Sequence, residues 1–268
     1  SGNLTEDGEP MFTERLTADK ASKVRDGVAR ALYQKLFEYL VRLLNVAMLE
    51  GAAPTPGEPP RARTVSVVDF PGFEMLRVNS FEQLCINFAE ERLHQLFVEQ
   101  CLVSEEMAHH EENVPWPRLN LPDNQSCIDV LSNRGSGLPD GVFQLLDNAT
   151  RLAGKSAALP PGLEKEYFYA VHAEHLRSKD YLAKAPRKHK DEGFVVKHFA
   201  GDVVYFAGEF LEKNNDTLDG DLEAALLKSS FPLVVTVCTP EPEAGGKKKK
   251  ASSFASVGDK FVKSLKSL

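Results

Sequence analysis

The stretch that most constrains this chain is Val65-Ser66-Val67-Val68-Asp69-Phe70-Pro71-Gly72-Phe73-Glu74, followed by Asn79-Ser80-Phe81-Glu82-Gln83-Leu84-Cys85-Ile86-Asn87-Phe88. The β-branched run Thr64–Val68 reads as a short strand buried on both faces. It ends at a carboxylate and, three residues on, a glycine. Asp-x-x-Gly after a buried strand is a phosphate-sensing geometry. The Asp69 carboxylate can hold a Mg²⁺-bound water, and the Gly72 N–H can approach a γ-phosphate because no side chain blocks it. The plainer alternative is an Asp that caps a turn after a strand. Ser80 with Gln83, or Asn79 with Glu82, gives a capping box that starts a helix.

That helix places Phe81, Leu84, Cys85, Phe88, Leu96 and Phe97 on an apolar face and is expected to run to about Glu112. Before it, Ala21, Val24, Val28, Ala31, Leu32, Leu36, Tyr39, Leu40, Leu43 and Leu44 recur at helical spacing. They predict a helix of about 27 residues from Thr17 to near Asn45. The Pro/Gly-rich segment 51–60 is a loop. Pro115, Pro117 and Pro122 enforce an extended loop around Trp116. Short helices are expected near 128–131, 142–152, 164–176 and 219–229, and a β-hairpin from 194–199 and 203–206. Residues 178–192 form a basic loop. Residues 254–268 begin a further amphipathic piece.

Composition bounds the partners. The 268 residues carry a formal charge of −7, which argues against a nucleic-acid binder. From Lys247 onward, seven Lys stand against one Asp, so the end of the chain is basic and the remainder more acidic. The four cysteines form no CxxC pair, which fits a reducing compartment and neither zinc nor a disulfide framework. No apolar run is long enough to span a bilayer. The chain begins Ser1-Gly2, as an excised or incomplete sequence would. His109-His110 with Glu111-Glu112 reads as helix surface, because neighbouring residues face different ways.

A nucleotide site also needs a phosphate cradle. The two Gly-Lys pairs, Gly154-Lys155 and Gly246-Lys247, are preceded at the first glycine position by Ala149 and Glu241. Neither completes G-x-x-x-x-G-K-[ST], so the sequence carries at most one wall of a nucleotide site.

Asp69–Glu74 followed by Asn79–Phe88 resembles switch II and the start of the relay helix of myosin motor domains. Further along, Arg25-Asp26 with Ala31-Leu32-Tyr33, Asp123-Asn124-Gln125 with Cys127-Ile128-Asp129, Leu145-Leu146-Asp147, His198-Phe199-Ala200-Gly201 and Phe210–Asp216 also resemble the family. The segments Asp191–Phe194, Asn214–Asp216 and Phe254–Phe261 are similar to the class VI branch.

The resemblance implies an α/β fold of the P-loop NTPase type, present in part. What remains would be a mostly helical fragment with one central-sheet strand and a small β-hairpin. Residues 1–16 would be a flexible segment, 17–236 the partial motor domain, 237–253 a flexible lysine-rich loop, and 254–268 the start of another helix. Asp69, Phe70, Pro71, Gly72 and Phe73 would be the nucleotide-facing loop. Asp69 would reach Mg²⁺ through water. Gly72 would sense the γ-phosphate, and Glu74 would pair with an arginine supplied from elsewhere. Asn79, Phe81 and Trp116 would belong to the relay. Lys247, Lys248, Lys249 and Lys250, with Leu145 and Leu146, would face filamentous actin.

ATP and Mg²⁺ would serve the complete motor, and neither is expected for this polypeptide alone, which should not hydrolyse ATP. Its other implied partners are the remaining motor segments and calmodulin-type light chains, in a cytoplasmic cytoskeletal setting. Pro71 and the proline-rich relay loop depart from the family pattern. They keep open a second reading, a non-catalytic actin-binding protein derived from a motor.

Overall fold

A computed structural model describes residues 16–50, 67–117, 119–121, 123–135, 137–153, 162–175, 181–189, 191–215, 220–239 and 256–266. Residues 1–15, most of the expected strand (64–66), the loop 51–60 and Lys247–Lys250 lie outside the described residues. The chain divides into two compact units. One comprises Ser1–Glu58 and Thr217–Gly245, the other Pro59–Asp216 and Gly246–Leu268.

The first unit contains α1 (Ala18–Glu50), α8 (Gly220–Leu227) and α9 (Pro232–Cys238). At 33 residues α1 is longer than its apolar stripe predicts. Val46, Ala47, Met48, Leu49 and Glu50 tolerate helix well, and Gly51 is the first strong breaker. Of the expected apolar face, Leu40, Leu43 and Leu44 are exposed. Two helices of eight and seven residues cannot cover a helix of about 50 Å. Lys35 Nζ reaches Glu223 Oε1 at 3.3 Å. Cys238 is the only fully buried apolar residue of this unit among the described residues.

The second unit holds the core. Its helices are α2 (Phe81–Phe97), α3 (Ser104–Glu111), α4 (Gln125–Ser132), α5 (Val142–Ala153), α6 (Leu163–His175), α7 (Phe210–Asn214) and α10 (Val257–Leu265). A π-helical turn, Val98–Val103, joins α2 to α3. The path from Phe81 to Glu111 is therefore helical almost as far as the apolar spacing predicts. It carries one register defect that periodicity does not reveal. Phe81, Leu84, Cys85 and Phe88 are buried as expected, whereas Leu96 is exposed at 37 % and Phe97 at 56 %. They lie at the end of α2, before the π turn, where the apolar stripe runs past the core that covers Phe81–Phe88.

Three strands form one antiparallel sheet in the order β1 (Leu182–Lys184), β2 (Gly193–His198), β3 (Gly201–Phe206). β2 and β3 are the expected hairpin. β1 lies inside the segment read as a basic loop. There Leu182 pairs with Val196, and its side chain is buried. Gly193 starts β2 against the partner strand. A Cβ there would stand 2.6 Å from the Tyr205 carbonyl oxygen.

The expected central-sheet strand is not formed in its described part. Val67 is 91 % exposed and Val68 55 % exposed, and neither pairs with another strand. A doubly buried strand exists only between neighbours that take its hydrogen bonds and cover both faces. Among the described residues no such neighbour flanks it. The supported fold is a mostly helical assembly with a small three-stranded sheet.

Aromatic rings fasten α2 to the rest. Phe81 meets Phe143 of α5 at 6.5 Å and Phe210 of α7 at 5.9 Å, both edge-on, and Phe88 meets Phe143 at 5.3 Å. The turn between α4 and α5 is tight. A Cβ on Gly141 would stand 2.6 Å from the Asn133 nitrogen and 2.7 Å from that of Ser132.

Candidate functional site

The loop Asp69–Glu74 runs along the surface of the second unit. Phe70, Pro71 and Gly72 are exposed, and Phe73 and Glu74 are half-buried. No atom lies within 4 Å of where a Gly72 Cβ would be. The Gly72 amide is thus approachable, as its expected role requires. Phe73 anchors the loop by packing edge-on against His198 at 5.3 Å and Phe199 at 5.9 Å.

The loop is gripped from below by α2. Asn87, fully buried, accepts a hydrogen bond from the Glu74 N–H at 2.8 Å and donates one to the Glu74 carbonyl at 2.8 Å. A single side-chain amide therefore reads both polar groups of one backbone residue. The Glu74 carboxylate accepts from Gln83 Nε2 at 3.1 Å.

Of the two capping boxes the sequence allows, Ser80 with Gln83 is the one formed. The Ser80 N–H donates to Gln83 Oε1 at 2.9 Å. Asn79 has another task. Its side chain accepts from the Leu76 N–H and donates to the Leu76 and Val204 carbonyls, while its own carbonyl accepts from Phe206 N–H. Asn79 thereby stitches the loop to β3. Lys213 of α7 secures the helix start by donating to Ser80 Oγ at 3.0 Å and pairing with Glu82 at 2.9 Å and Glu209 at 3.1 Å. Desolvation lowers the Lys213 pKa, but bonding to these two carboxylates outweighs it and raises the net value.

Behind Asn87 lies a sealed polar chain that sequence reading missed. Asn87 donates to the Tyr205 hydroxyl at 2.7 Å. That hydroxyl lies 2.8 Å from His198 Nε2, and His198 Nδ1 lies 2.9 Å from Glu91 Oε1. Glu91 also accepts from Phe199 N–H at 3.0 Å, Cys127 Sγ at 3.4 Å and the Asn124 amide. Burial pushes the Glu91 carboxyl up. Hydrogen bonds from His198, Asn124 and Phe199 outweigh it and hold the group below the usual carboxylate range. The Cys127 thiol is pushed up, by burial first and by Glu91 second.

Glu91, Cys127 and His198 lie close enough to share a cation. Each is already engaged in this hydrogen-bond set, so the cluster reads as a satisfied polar core. The only visible signal was Glu91 and Asn87, polar residues on the buried face of an amphipathic helix.

A second polar knot ties α10 to the core. Arg134 bridges Asp147 at 3.0 Å and Asp259 at 2.6 Å. Asn214 donates to Thr150 at 2.9 Å and accepts from Gly258 N–H at 2.7 Å. Ser256 caps α10 and donates to Asp147.

The other expected site residues fall as follows. Phe81 is core. Asp69 is exposed. Trp116 is 36 % exposed, its ring 4.1 Å from that of His109. His109 is therefore a half-buried packing partner and not plain helix surface. Leu146 is fully buried and Leu145 packs partly against the core, so both side chains serve packing here.

Mg²⁺-ATP fits this chain only in part. An exposed carboxylate at Asp69 and an open amide at Gly72 suit one wall of such a site, and the sequence supplies no phosphate cradle to face it. Among the described residues, no helix is long and apolar enough to cross a membrane.

Comparison with known proteins agrees with this architecture. The model of the myosin head (motor domain) family matches residues 4–268. Unconventional myosin heavy chain 6 of Caenorhabditis elegans is 33 % identical over 97 % of this chain and 11 % of its own length. Myosin-I heavy chain of Dictyostelium discoideum is 34 % identical over 96 % of this chain and 10 % of its own. Unconventional myosin-VI of Bos taurus is 34 % identical over 93 % and 19 %. The chain spans a tenth to a fifth of the length of these curated relatives. It belongs to the myosin head (motor domain) family.

Proposed function

We propose that this chain is the output side of the ATP site in an actin-based motor, the lower half of a P-loop NTPase-type head. The observation that carries the reading is the double grip of Asn87 on the Glu74 backbone. A loop held by two bonds to a buried helix side chain cannot shift without loading that helix. The helical path from Phe81 to Glu111 then carries the displacement toward Trp116. This is loop ordering amplified by a rigid element.

In the complete head, Mg²⁺-ATP would supply the charge that the loop senses, with Asp69 facing the metal's water and Gly72 facing phosphate. Glu74 would exchange its Gln83 contact for an arginine from another segment. Lys247–Lys250 would give long-range, salt-screened attraction to the acidic actin filament. Residues 17–236 would form the partial motor, with 237–253 as the actin-facing loop. Light chains and the rest of the head would be partners in the parent polypeptide, in a cytoskeletal setting, and class VI is the branch we favour.

The test is Asn87→Ala in the full-length parent. Basal ATP turnover should persist, while actin filament gliding is lost. Gliding at the unmodified rate would overturn the reading.

A further inference from the structure

We infer that His198 is a positioning residue for the Asp69–Glu74 loop, held as the neutral Nδ1–H tautomer by a hydrogen-bond chain that can run in only one direction. The direction starts at the backbone. The Glu74 N–H can only donate and its carbonyl can only accept, so Asn87 must turn Oδ1 to the first and Nδ2 to the second. The second hydrogen on Nδ2 then points at the Tyr205 hydroxyl, 2.7 Å away. That hydroxyl is thereby an acceptor toward Asn87, and its single hydrogen needs another acceptor. The partner found is His198 Nε2 at 2.8 Å. Nε2 must therefore be unprotonated, which leaves the ring hydrogen on Nδ1, donating to Glu91 Oε1 at 2.9 Å.

Water cannot relieve a conflict here, because Asn87, Tyr205 and Glu91 are all fully buried and the His198 side chain is too. An imidazolium would aim a second donor at the Tyr205 oxygen. The phenol hydrogen would lose its acceptor and be left buried and unpaired. Neutral His198 is thus the ring state that agrees with the orientation Glu74 imposes on Asn87, and protonation opposes it and loosens the loop.

The groups that face the ring come from each element packed on it. They are Glu91 from α2, with Cys127 from α4 bonded to the same carboxylate, Tyr205 from β3, and the Phe73 edge from the loop. His94 of α2 stacks on the adjacent Phe199 at 4.2 Å.

The inference deepens the reading of this loop as a nucleotide-linked output. Its test involves no nucleotide or actin, so it can fail while that reading stands. Ring ¹⁵N resonances of His198 in the histidine-labelled chain at neutral pH should show protonated Nδ1 and bare Nε2. The Nε2–H tautomer, or an imidazolium, overturns it.

As a second measurement, His198→Ala should speed amide exchange at Glu74 about tenfold, with core amides such as Leu131 as the internal reference. His198→Gln, whose amide offers a carbonyl acceptor for Tyr205 and an N–H donor for Glu91, should restore protection. Unchanged Glu74 exchange in a folded His198→Ala chain overturns the inference. If that variant does not fold, the ring resonances decide alone.

Discussion

Asn87 holds the backbone of Glu74 from both sides, accepting from its N–H and donating to its carbonyl at 2.8 Å each. The contact joins an exposed loop to a buried position on α2. Under the proposed function, movement of the loop would load the helix through this contact.

Replacing Asn87 by Asp tests the donor half of that grip. A carboxylate can still accept from Glu74 N–H. It cannot donate to the Glu74 carbonyl or to Tyr205, and it buries a charge. Asn87→Asp is expected to destabilise the chain by about 3 kcal/mol, read as a lower urea midpoint. An unchanged midpoint would show that Asn87 is not a structural clamp.

Gly72 and Gly193 should behave oppositely. A Cβ at Gly193 would collide with the Tyr205 carbonyl at 2.6 Å, so Gly193→Ala should cost about 2 kcal/mol. A Cβ at Gly72 meets nothing within 4 Å, so Gly72→Ala should leave stability within about 0.5 kcal/mol. In the full-length parent the same change should impair ATP-dependent movement. Calorimetry of the two variants separates a packing glycine from one kept for approach by a ligand.

Acid should weaken the second unit. The carboxyls of Glu91 and Asp259 are both held below their ordinary values. For each, burial raises the value and is outweighed, at Glu91 by bonds from His198, Asn124 and Phe199, at Asp259 by bonds to Lys263 and Arg134. A depressed folded-state value means that the unfolded chain binds protons first as pH falls. The stabilisation is therefore complete above the unfolded carboxylate range and is lost as pH falls through the folded value. Glu91→Gln should flatten the acid limb of a urea-midpoint profile between about pH 5 and pH 2. An identical limb would show that Glu91 is not its source.

Arg134 neutralises two nearly buried carboxylates at once, Asp147 and Asp259. Arg134→Met should cost about 3 kcal/mol, because both acids are left without their shared cation. Asp259→Asn in the same chain should recover part of that loss. A double-mutant cycle reads the coupling, and additive effects would contradict the bridge.

The sequence carried much of this fold but only the rim of the site. Helical spacing located α2, α4, α5, α6 and α10, and alternation located the β2–β3 hairpin, although β2 is buried on both faces and α3 buries no residue. The spacing overran at Leu96 and Phe97, which keep the helical period but lie beyond the core that covers the start of α2. β1 was hidden because Leu182–Lys184 is short and its neighbours are basic. Asp69–Glu74 was legible as a motif. The grip beneath it was not, since Asn87, Glu91, His198 and Tyr205 are scattered through the chain and meet only when α2 packs on the hairpin. Of the strand expected at 64–68 only Val67 and Val68 are described, and they are exposed and unpaired. Its β-branched residues announce a preference, and a strand also needs neighbours.

Replacing Lys247–Lys250 with Ala should weaken co-sedimentation of the chain with filamentous actin at low salt and remove most of its salt dependence. Equal binding by the variant would take actin contact away from these lysines without touching the loop–helix coupling.

The most direct test of that coupling is filament gliding by the full-length parent carrying Asn87→Ala, measured beside its basal ATP turnover. The account predicts turnover without movement. Movement at the unmodified rate, with the Glu74 grip removed, would contradict it.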